Sequence, residues 1–334
     1  MPVQTRLIAS LPQDMITLET IRTAHDRIRA HIHRTPILTN QTINELSGVH
    51  IFFKPENFQK IGAFKARGGL NAILQLSEQE RYHGRTMGPV TTHSSGNHAQ
   101  AVAFAARQVG IKAYIVMPRT APQVKKDAVK GYGAEIIECE PTLEAREAGV
   151  REVIERTGAV LVHPFDDDRV IAGQATAAKE LIEDADYDSF FDAILAPVGG
   201  GGLLSGTALS THYLSPRTKV FAGEPEGAAD AVLSFKSGKV EKAPYINSLA
   251  DGLLTSLSER TLGYIREHVT DILTVSDAEI SAAMRLVWER MKIVIEPSSA
   301  VPLAALFKNK AQFTGQKVGI ILTGGNTDLG KLPF

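Results

Sequence analysis

Three short stretches hold residues whose types and spacing could do chemistry. In the first, IGAFKARGG at 61–69, Lys65 stands among small and apolar residues. Most lysines are solvated surface charges, but apolar neighbours favour burial, and burial lowers the pKa of an amine toward the range of a nucleophile. Taken alone, Lys65 fits either a surface charge or an amine held for Schiff-base chemistry.

The second stretch, PVGGGGLLSG, places four glycines between an apolar run and a helical pattern. Glycine allows positive φ and close backbone approach, and the N–H groups of such a turn suit a phosphate. The stretch lacks the lysine and hydroxyl residue of a P-loop, and it is not G-x-G-x-x-G. A tight turn without a ligand needs only one or two glycines, so the run favours a phosphate site.

The third stretch, HSSGNHA at 93–99, places four polar side chains where a helix is expected to begin: Ser94, Ser95, Asn97 and His98. Hydroxyls, an amide and the N–H groups of a helix start suit a carboxylate. Helix capping requires only one such residue, and both interpretations stay open for this turn alone. Together, the three stretches suggest a Schiff-base enzyme with a phosphorylated aldehyde cofactor.

The elements around these stretches follow a repeated pattern of strand, turn and helix from about residue 87 onward. Such alternation predicts parallel sheets with helices on their faces, hence an α/β fold, here in two units without a clear linker. The turns at 94–98, 199–202 and 323–326 follow predicted strands, where ligands of such sheets bind. The segment TPILTN at 35–40 is also predicted to form a short strand.

Composition excludes several classes of protein. The chain has 334 residues, 43% of them hydrophobic, with a net charge of -1 and no block of like charges, which argues against a nucleic-acid surface or a basic membrane patch. Its one cysteine, Cys139, rules out an intrachain disulfide and fits a reducing compartment. The first twenty residues lack the pattern of a secretory signal, and we expect a cytoplasmic protein.

The motifs ENFQKIGAFKARGGLNA, SSGNHAQAVA, IAGQATAAKEL, GGGGLLSG and TGGN resemble, in order, those of the serine/threonine dehydratase and serine racemase family. The resemblance runs from about residue 35 to 328. It implies a fold-type II pyridoxal 5'-phosphate (PLP) enzyme similar to the tryptophan synthase β chain, with two parallel sheets and flanking helices. It also implies a large domain of residues 1–84 plus 167–334, a small mobile domain of residues 85–166, and a homodimer.

The resemblance assigns roles to individual residues. Lys65 would bind PLP covalently and take the substrate α-proton, Phe64 would pack near the cofactor ring, and Asn97 would hydrogen-bond the PLP phenolic oxygen. Thr323 takes the position that bonds the pyridine nitrogen, and Ala63 replaces the usual serine of the lysine motif. The phosphate would lie on Gly199, Gly200, Gly201 and Gly202. The substrate carboxylate would contact Ser94, Asn97 and His98, and Ser95 would face the α-carbon opposite the lysine.

A possible metal site follows from the same resemblance. In GEPEGAADA, Glu224 and Asp230 lie six residues apart with Ala228 between them. The metal-dependent branch of the family binds Mg²⁺, Mn²⁺ or Ca²⁺ with such a set of oxygens, which suits a hard cation. Spacing alone would fit a solvated loop. The position directly after a predicted strand favours a metal site.

Several other titratable residues have more than one explanation or no functional pattern. Glu296 and Asp251 match family positions near the active site, although capping or turn formation explains them equally well. His33, His163 and His268 lack the spacing of metal ligands, and Arg146 is predicted to lie on the surface.

The implied reaction is β-elimination of a β-hydroxy amino acid such as L-threonine or L-serine to a 2-keto acid and ammonia. The alternatives are an L-threo-3-hydroxyaspartate ammonia-lyase, a serine racemase and a dehydratase in hydroxyectoine breakdown. Phe165, where mammalian racemases have asparagine, favours a dehydratase. A cysteine synthase-like enzyme and a non-catalytic PLP or phosphate carrier are the rivals from other classes, and no cation for an acidic substrate can be named from sequence.

Overall fold

Two parallel β-sheets organise the chain, in a computed structural model that describes residues 16–94, 96–121, 123–185 and 190–334. The five-stranded sheet contains β1 (His50–Pro55), β6 (Ala193–Pro197), β7 (Lys219–Pro225), β8 (Asp271–Val275) and β9 (Lys317–Leu322). Its strand order is β1-β9-β6-β7-β8. The four-stranded sheet contains β2 (Val90–His93), β3 (Ala113–Pro118), β4 (Glu135–Cys139) and β5 (Val160–Leu161), in the order β4-β3-β2-β5. Every pair of neighbouring strands is parallel.

Helices cover the faces of both sheets, as βαβ connections require. The first seven are α1 (Leu18–Ile28), α2 (Gln41–Ser47), α3 (Lys65–Tyr82), α4 (Asn97–Val109), α5 (Gln123–Gly131), α6 (Leu143–Thr157) and α7 (Asp168–Asp184). Those that follow are α8 (Gly202–Leu214), α9 (Asp230–Ser237), α10 (Glu259–His268), α11 (Asp277–Met291), α12 (Pro297–Lys308) and α13 (Lys310–Phe313). Within the described ranges, single-turn 3-10 helices lie at Glu56–Phe58, Lys60–Gly62, Glu226–Ala228 and Asp251–Leu253.

Local sequence signals account for many of these boundaries. A capping box formed by Ser276 and Glu279 stands at the start of α11. Glycines in the left-handed conformation end α4 and α6, at Gly110 and Gly158. The predicted strand at 35–40 is wrong, because this segment makes only an isolated antiparallel bridge to β1, between Leu38 and Phe53.

The predicted domain division stays a prediction, although the strands divide along similar lines. All strands of the four-stranded sheet lie between Val90 and Leu161, and the strands of the five-stranded sheet lie outside that range. One face of the larger sheet packs on α12, through a cluster that includes Phe53, Leu303 and Ile320. The smaller sheet and α4 share a separate cluster with α3.

Helix α3 is held in place by close packing and by buried charges. Gly173 of α7 lies so close to α3 that a Cβ there would stand 2.6 Å from the carbonyl oxygen of Arg67. The fully buried Arg67 guanidinium donates to Glu56 at 2.7 and 2.8 Å and to Glu180 at 2.8 and 2.9 Å. Buried charges are tolerated when they are paired and hydrogen-bonded in this way. The cluster therefore fixes the first turn of α3, which begins at Lys65.

Candidate active site

Lys65 is half-buried and has no acidic partner among the described residues. Its Nζ donates a hydrogen bond of 2.7 Å to the carbonyl oxygen of Pro164, just after β5, and lies 5.2 Å from the centre of the Phe64 ring. Burial lowers the pKa of Lys65 to about 8, and no described carboxylate opposes that effect. The amine is therefore partly neutral near neutral pH, and this neutral fraction can act as a nucleophile or base.

The loop that carries Lys65 is bonded to the TGGN stretch after β9. Phe64 N donates to the Thr323 carbonyl oxygen at 2.9 Å, and Ala63 forms a bridge with Gly324. Ile61 has a φ of 59°, which is unusual for a β-branched residue. The Asn326 Nδ2 group donates to the Ile61 carbonyl oxygen at 2.8 Å, so this loop is held by a long-range contact.

The glycine run forms a turn at the start of α8, and several of its backbone N–H groups have no acceptor among the described residues. Gly201 has a φ of +85°, which favours glycine, and a Cβ at Gly200 would overlap the ring of Phe165. Within the described residues, the N–H groups of Gly199, Gly200 and Gly201 donate no hydrogen bond. Packing and φ explain why these residues are glycines, and the unbonded N–H groups fit the phosphate expected here.

The polar turn between β2 and α4 is partly described. The Ser94 hydroxyl accepts a hydrogen bond from Gly96 N at 3.2 Å, and Asn97 is the first residue of α4. Ser95, the predicted residue opposite Lys65, lies outside the described residues. The N–H groups of the first helical turn lack acceptors within the helix, which suits the carboxylate predicted for this turn.

His98 takes a different orientation from the one a side-chain contact with a carboxylate requires. Its Nε2 donates to the Val162 carbonyl oxygen at 3.0 Å, and its Nδ1 is buried without a partner among the described residues. Burial lowers the pKa of His98 well below the ordinary value. The ring is neutral with the proton on Nε2, so Nδ1 can only accept. A contact with the substrate carboxylate would then use the backbone N–H of His98.

Thr323 and Asn97 both have buried polar partners. The Thr323 hydroxyl lies 2.9 Å from that of Ser299. Asn97 donates through Nδ2 to Glu296 Oε1 at 2.8 Å and accepts at Oδ1 from Asn326 at 2.8 Å. These contacts fix the orientation of two side chains that were predicted to bond the cofactor.

Glu296 does not cap α12 with its side chain, which separates the two roles left open for it. Its carboxyl is buried against Asn97. Burial first, and then the Asp251 charge, raise the pKa of Glu296 to about 8. Glu296 is therefore mainly neutral near pH 7 and belongs to the hydrogen-bond network of Asn97.

Lys125 and His163 also lie at this site, and sequence analysis assigned them no role there. Lys125 Nζ donates to Asp251 Oδ2 at 2.5 Å. His163 accepts from Asp166 N at 2.8 Å, and burial lowers its pKa to about 4. Arg146 was predicted to lie on the surface, but it is half-buried, and its charge is the second cause, after burial, of the lowered pKa of His93. No sequence signal marks Lys125, because lysines are common in the polar first turn of a helix.

The predicted metal loop brings two buried acids together after β7. Glu224 accepts hydrogen bonds from Ala231 N at 2.6 Å and Val232 N at 2.9 Å. Asp230 Oδ2 is buried without a partner in the part of the chain that the structure describes. Burial raises the pKa of both acids, to about 8 and about 6 respectively. An orphaned carboxylate oxygen fits a hard cation, although no cluster of three or more His, Cys, Asp or Glu side chains with metal-binding geometry occurs in the described ranges.

Comparison with known proteins places the chain in a family. The family profile described as pyridoxal-phosphate dependent enzyme matches residues 28–324. The chain belongs to this family. A beta-hydroxyaspartate dehydratase from Paracoccus denitrificans is 51% identical over 95% of this chain and 98% of its own length.

Solved structures of family members share the fold. The serine racemase from Dictyostelium discoideum has a TM-score of 0.86 at 50% identity, covering 94% of this chain and 99% of that one. The threonine deaminase from T.th. has a TM-score of 0.88 at 43% identity, with coverage of 94% and 99%. The predicted family, α/β fold class and PLP dependence are confirmed, and the relatives' names include several of the activities that the sequence left open. The roles of individual site residues stay predictions.

Proposed function

We propose that this enzyme catalyses the dehydrative deamination of a β-hydroxy amino acid to a 2-keto acid and ammonia, with β-hydroxyaspartate as the preferred substrate. The observation that carries the proposal is the Lys65 amine, which bonds the Pro164 carbonyl oxygen at 2.7 Å and whose pKa burial lowers to about 8. Phe165, next to Pro164, packs against the glycine turn, and the Lys65 charge acts on His98 of the polar turn. The relative that is 51% identical over 95% of the chain supports the choice of substrate.

The residues present fit PLP. Lys65 would bind the aldehyde of the cofactor, and the N–H groups of the glycine turn would bind its phosphate. Asn97 would hydrogen-bond the phenolic oxygen and Thr323 the ring nitrogen. Phe64 would pack beside the ring. When bound, PLP supplies an electron sink for the pair of electrons left at the substrate α-carbon. A neutral hydroxyl at Thr323 does not fully protonate the ring, and this moderates the sink in favour of β-elimination.

The protein's own groups orient the substrate and move its protons. The N–H groups at the start of α4 would bind the α-carboxylate, and Lys65 Nζ would remove the α-proton. With a pKa of about 8, roughly a tenth of such an amine is neutral at pH 7. Closure of the 85–166 unit would bring the polar turn onto the substrate and exclude water.

Serine racemisation is the second candidate, because a 49% identical relative is a serine racemase. Racemisation needs a second acid–base group on the opposite face of the α-carbon, which would be Ser95. A dehydratase needs Lys65 alone. The two functions therefore differ in whether a proton is returned from the Ser95 side.

The proposal is tested by incubating the purified protein with L-serine, L-threonine and the threo and erythro forms of L-3-hydroxyaspartate, with and without Mg²⁺. Keto acid, ammonia and D-amino acid are measured in the same reactions. We expect keto acid and ammonia in equal amounts, fastest from a hydroxyaspartate. Substantial D-serine without keto acid would support racemisation, and no product from any substrate would refute both functions.

We also propose that Glu224, the Ala228 carbonyl and Asp230 bind Mg²⁺, Mn²⁺ or Ca²⁺. The buried Asp230 oxygen, unpartnered within the described residues, supports this assignment. The metal would stabilise the loop beside the cofactor site, and it would take no part in proton transfer. Magnesium-dependent thermal stabilisation would test it.

We also propose that the enzyme is a cytoplasmic homodimer. Its one substrate would be a small amino acid, and it would bind neither nucleic acid nor membranes. The even charge balance and single cysteine are compatible with it. Among the described helices, none is long and apolar enough to span a bilayer. Light scattering of the purified enzyme would test the oligomeric state.

A further inference from the structure

A substrate with a second carboxylate needs a cation near the polar turn, and the structure offers Lys125. This residue lies in the first turns of α5, in the unit that carries the polar turn. Its Nζ is 3.8 Å from the position that a Cβ on Gly96 would occupy. The side chain is only 14% exposed, so its ammonium is held close to the turn and is partly shielded from water.

Lys125 is paired with Asp251, which belongs to the unit of the larger sheet and lies beside the glycine turn. Asp251 begins the 3-10 helix at 251–253, and a Cβ on Gly199 would stand 2.9 Å from Leu253 Cα of that helix. The Lys125–Asp251 ion pair therefore connects the polar turn with the glycine turn. Both charges also act on the buried Glu296, where Asp251 adds to the rise in pKa that burial causes and Lys125 opposes it.

We propose that Lys125 recognises the distal carboxylate of a dicarboxylic substrate, which replaces Asp251 as the partner of the ammonium. This inference rests on the proposed function and names the residue that selects the substrate. L-Serine has no second carboxylate and would leave the Lys125–Asp251 pair intact.

The exchange is favourable because the two partners differ in exposure. The Asp251 side chain is 55% exposed and regains water when it is released, whereas the Lys125 side chain is mostly buried and keeps a charged partner. An ammonium has three donors, so it can bond the incoming carboxylate before Asp251 leaves. Without Lys125, the distal carboxylate would meet the negative charge of Asp251 with no cation beside it.

Arg146 is the competing cation. Its charge reaches His93, at the end of the strand that leads into the polar turn. However, its Nε donates to the Thr142 carbonyl oxygen at 3.2 Å, within its own helix. The Lys125 ammonium, by contrast, lies against Gly96 of the turn itself. Substitution of each residue separates the two.

The test compares Lys125→Met, Lys125→Arg, Asp251→Asn and Arg146→Met with the wild-type holoenzyme, and uses Lys130→Met, an exposed position on the same helix, as the matched control. One readout is the ratio of kcat/KM for 3-hydroxyaspartate to that for L-serine. The other is calorimetric binding of succinate and of butyrate, which differ by one carboxylate. We expect Lys125→Met to lower the ratio at least about tenfold and to weaken succinate binding similarly, as the loss of a charge-assisted hydrogen bond predicts.

Lys125→Arg should retain most of the preference, Asp251→Asn should raise the ratio, and Lys130→Met should change neither readout. Equal losses for both substrates in Lys125→Met, with succinate binding unchanged, would overturn the inference and leave the pair as a link between the two units. So would a loss of preference confined to Arg146→Met. If the wild type turns over no β-hydroxy amino acid, the proposed function fails, and the succinate and butyrate titrations still decide the role of Lys125.

Discussion

Replacement of Glu296 by glutamine should stabilise the protein, and the gain should grow with pH. Glu296 is 5% exposed, and the pKa of its carboxyl is raised from 4.5 to about 8, chiefly by burial. Between these two values the folded protein keeps a proton that the unfolded chain has released. Stability therefore falls as pH rises through this window, by up to about 1.4 kcal/mol per pH unit.

Glutamine cannot ionise, but its Oε1 can still accept the hydrogen bond from Asn97 that Glu296 accepts at 2.8 Å. The Glu296→Gln variant should therefore match the wild type near pH 4.5 and exceed its stability by about 4 kcal/mol near pH 8. This figure is the integral of the slope over the window.

The assay is urea-induced unfolding, followed by circular dichroism, at intervals from about pH 5 to about pH 8. The control is Glu155→Gln, because Glu155 is exposed on α6, and its replacement should leave the pH dependence unchanged. A difference between Glu296→Gln and wild type that stays constant with pH would refute the reasoning. It would mean that Glu296 is ionised in the folded protein and that Asn97 bonds a carboxylate.

Three further perturbations test other parts of the molecule. Arg67→Ala should lower the free energy of unfolding by about 3 to 5 kcal/mol, because it removes the main partner of the buried Glu56 and one partner of the buried Glu180. Arg85→Ala breaks an exposed pair with Glu80 and should cost far less, and urea unfolding distinguishes the two variants. Gly201→Ala places a Cβ 2.7 Å from Leu257 Cδ2, at a residue whose φ is +85°. The affinity for PLP, measured by fluorescence titration, should therefore fall about tenfold or more. An unchanged affinity would contradict the assignment of this turn to the phosphate. Mg²⁺ should raise the Tm of the wild type and of Glu226→Gln, an exposed neighbour, but not of Asp230→Asn, and an equal rise in all three would exclude the proposed metal loop.

Sequence predicted the fold well wherever short-range signals decide structure. The predicted turns after β2, β6 and β9 all depend on neighbours within a few residues. The predicted strand at 35–40 failed because pairing is a long-range property, and this segment meets β1 at a single bridge. Apolar alternation alone cannot show whether a partner strand is available.

The site was predicted as a set of turns, whereas its charge network could not be. Asn97 and Glu296 are 199 residues apart, and Lys125 and Asp251 are 126 apart, so no local pattern connects them. The neutral state of His98 likewise follows from its burial and its bond to Val162, which sequence does not show. Tertiary packing brings together the residues that set the pKa values of the site and those proposed to select the substrate. The glycines and Lys65, by contrast, stand in stretches of unusual local composition, which the sequence shows directly.

The most direct test of the account is to locate the covalent cofactor. The holoenzyme is treated with borohydride, digested, and searched by mass spectrometry for the lysine that carries the pyridoxyl group. We predict one label, on Lys65, and none in Lys65→Ala. A label on another buried amine such as Lys54, which is paired with Glu180, or an unlabelled Lys65 in PLP-saturated protein, would contradict the account.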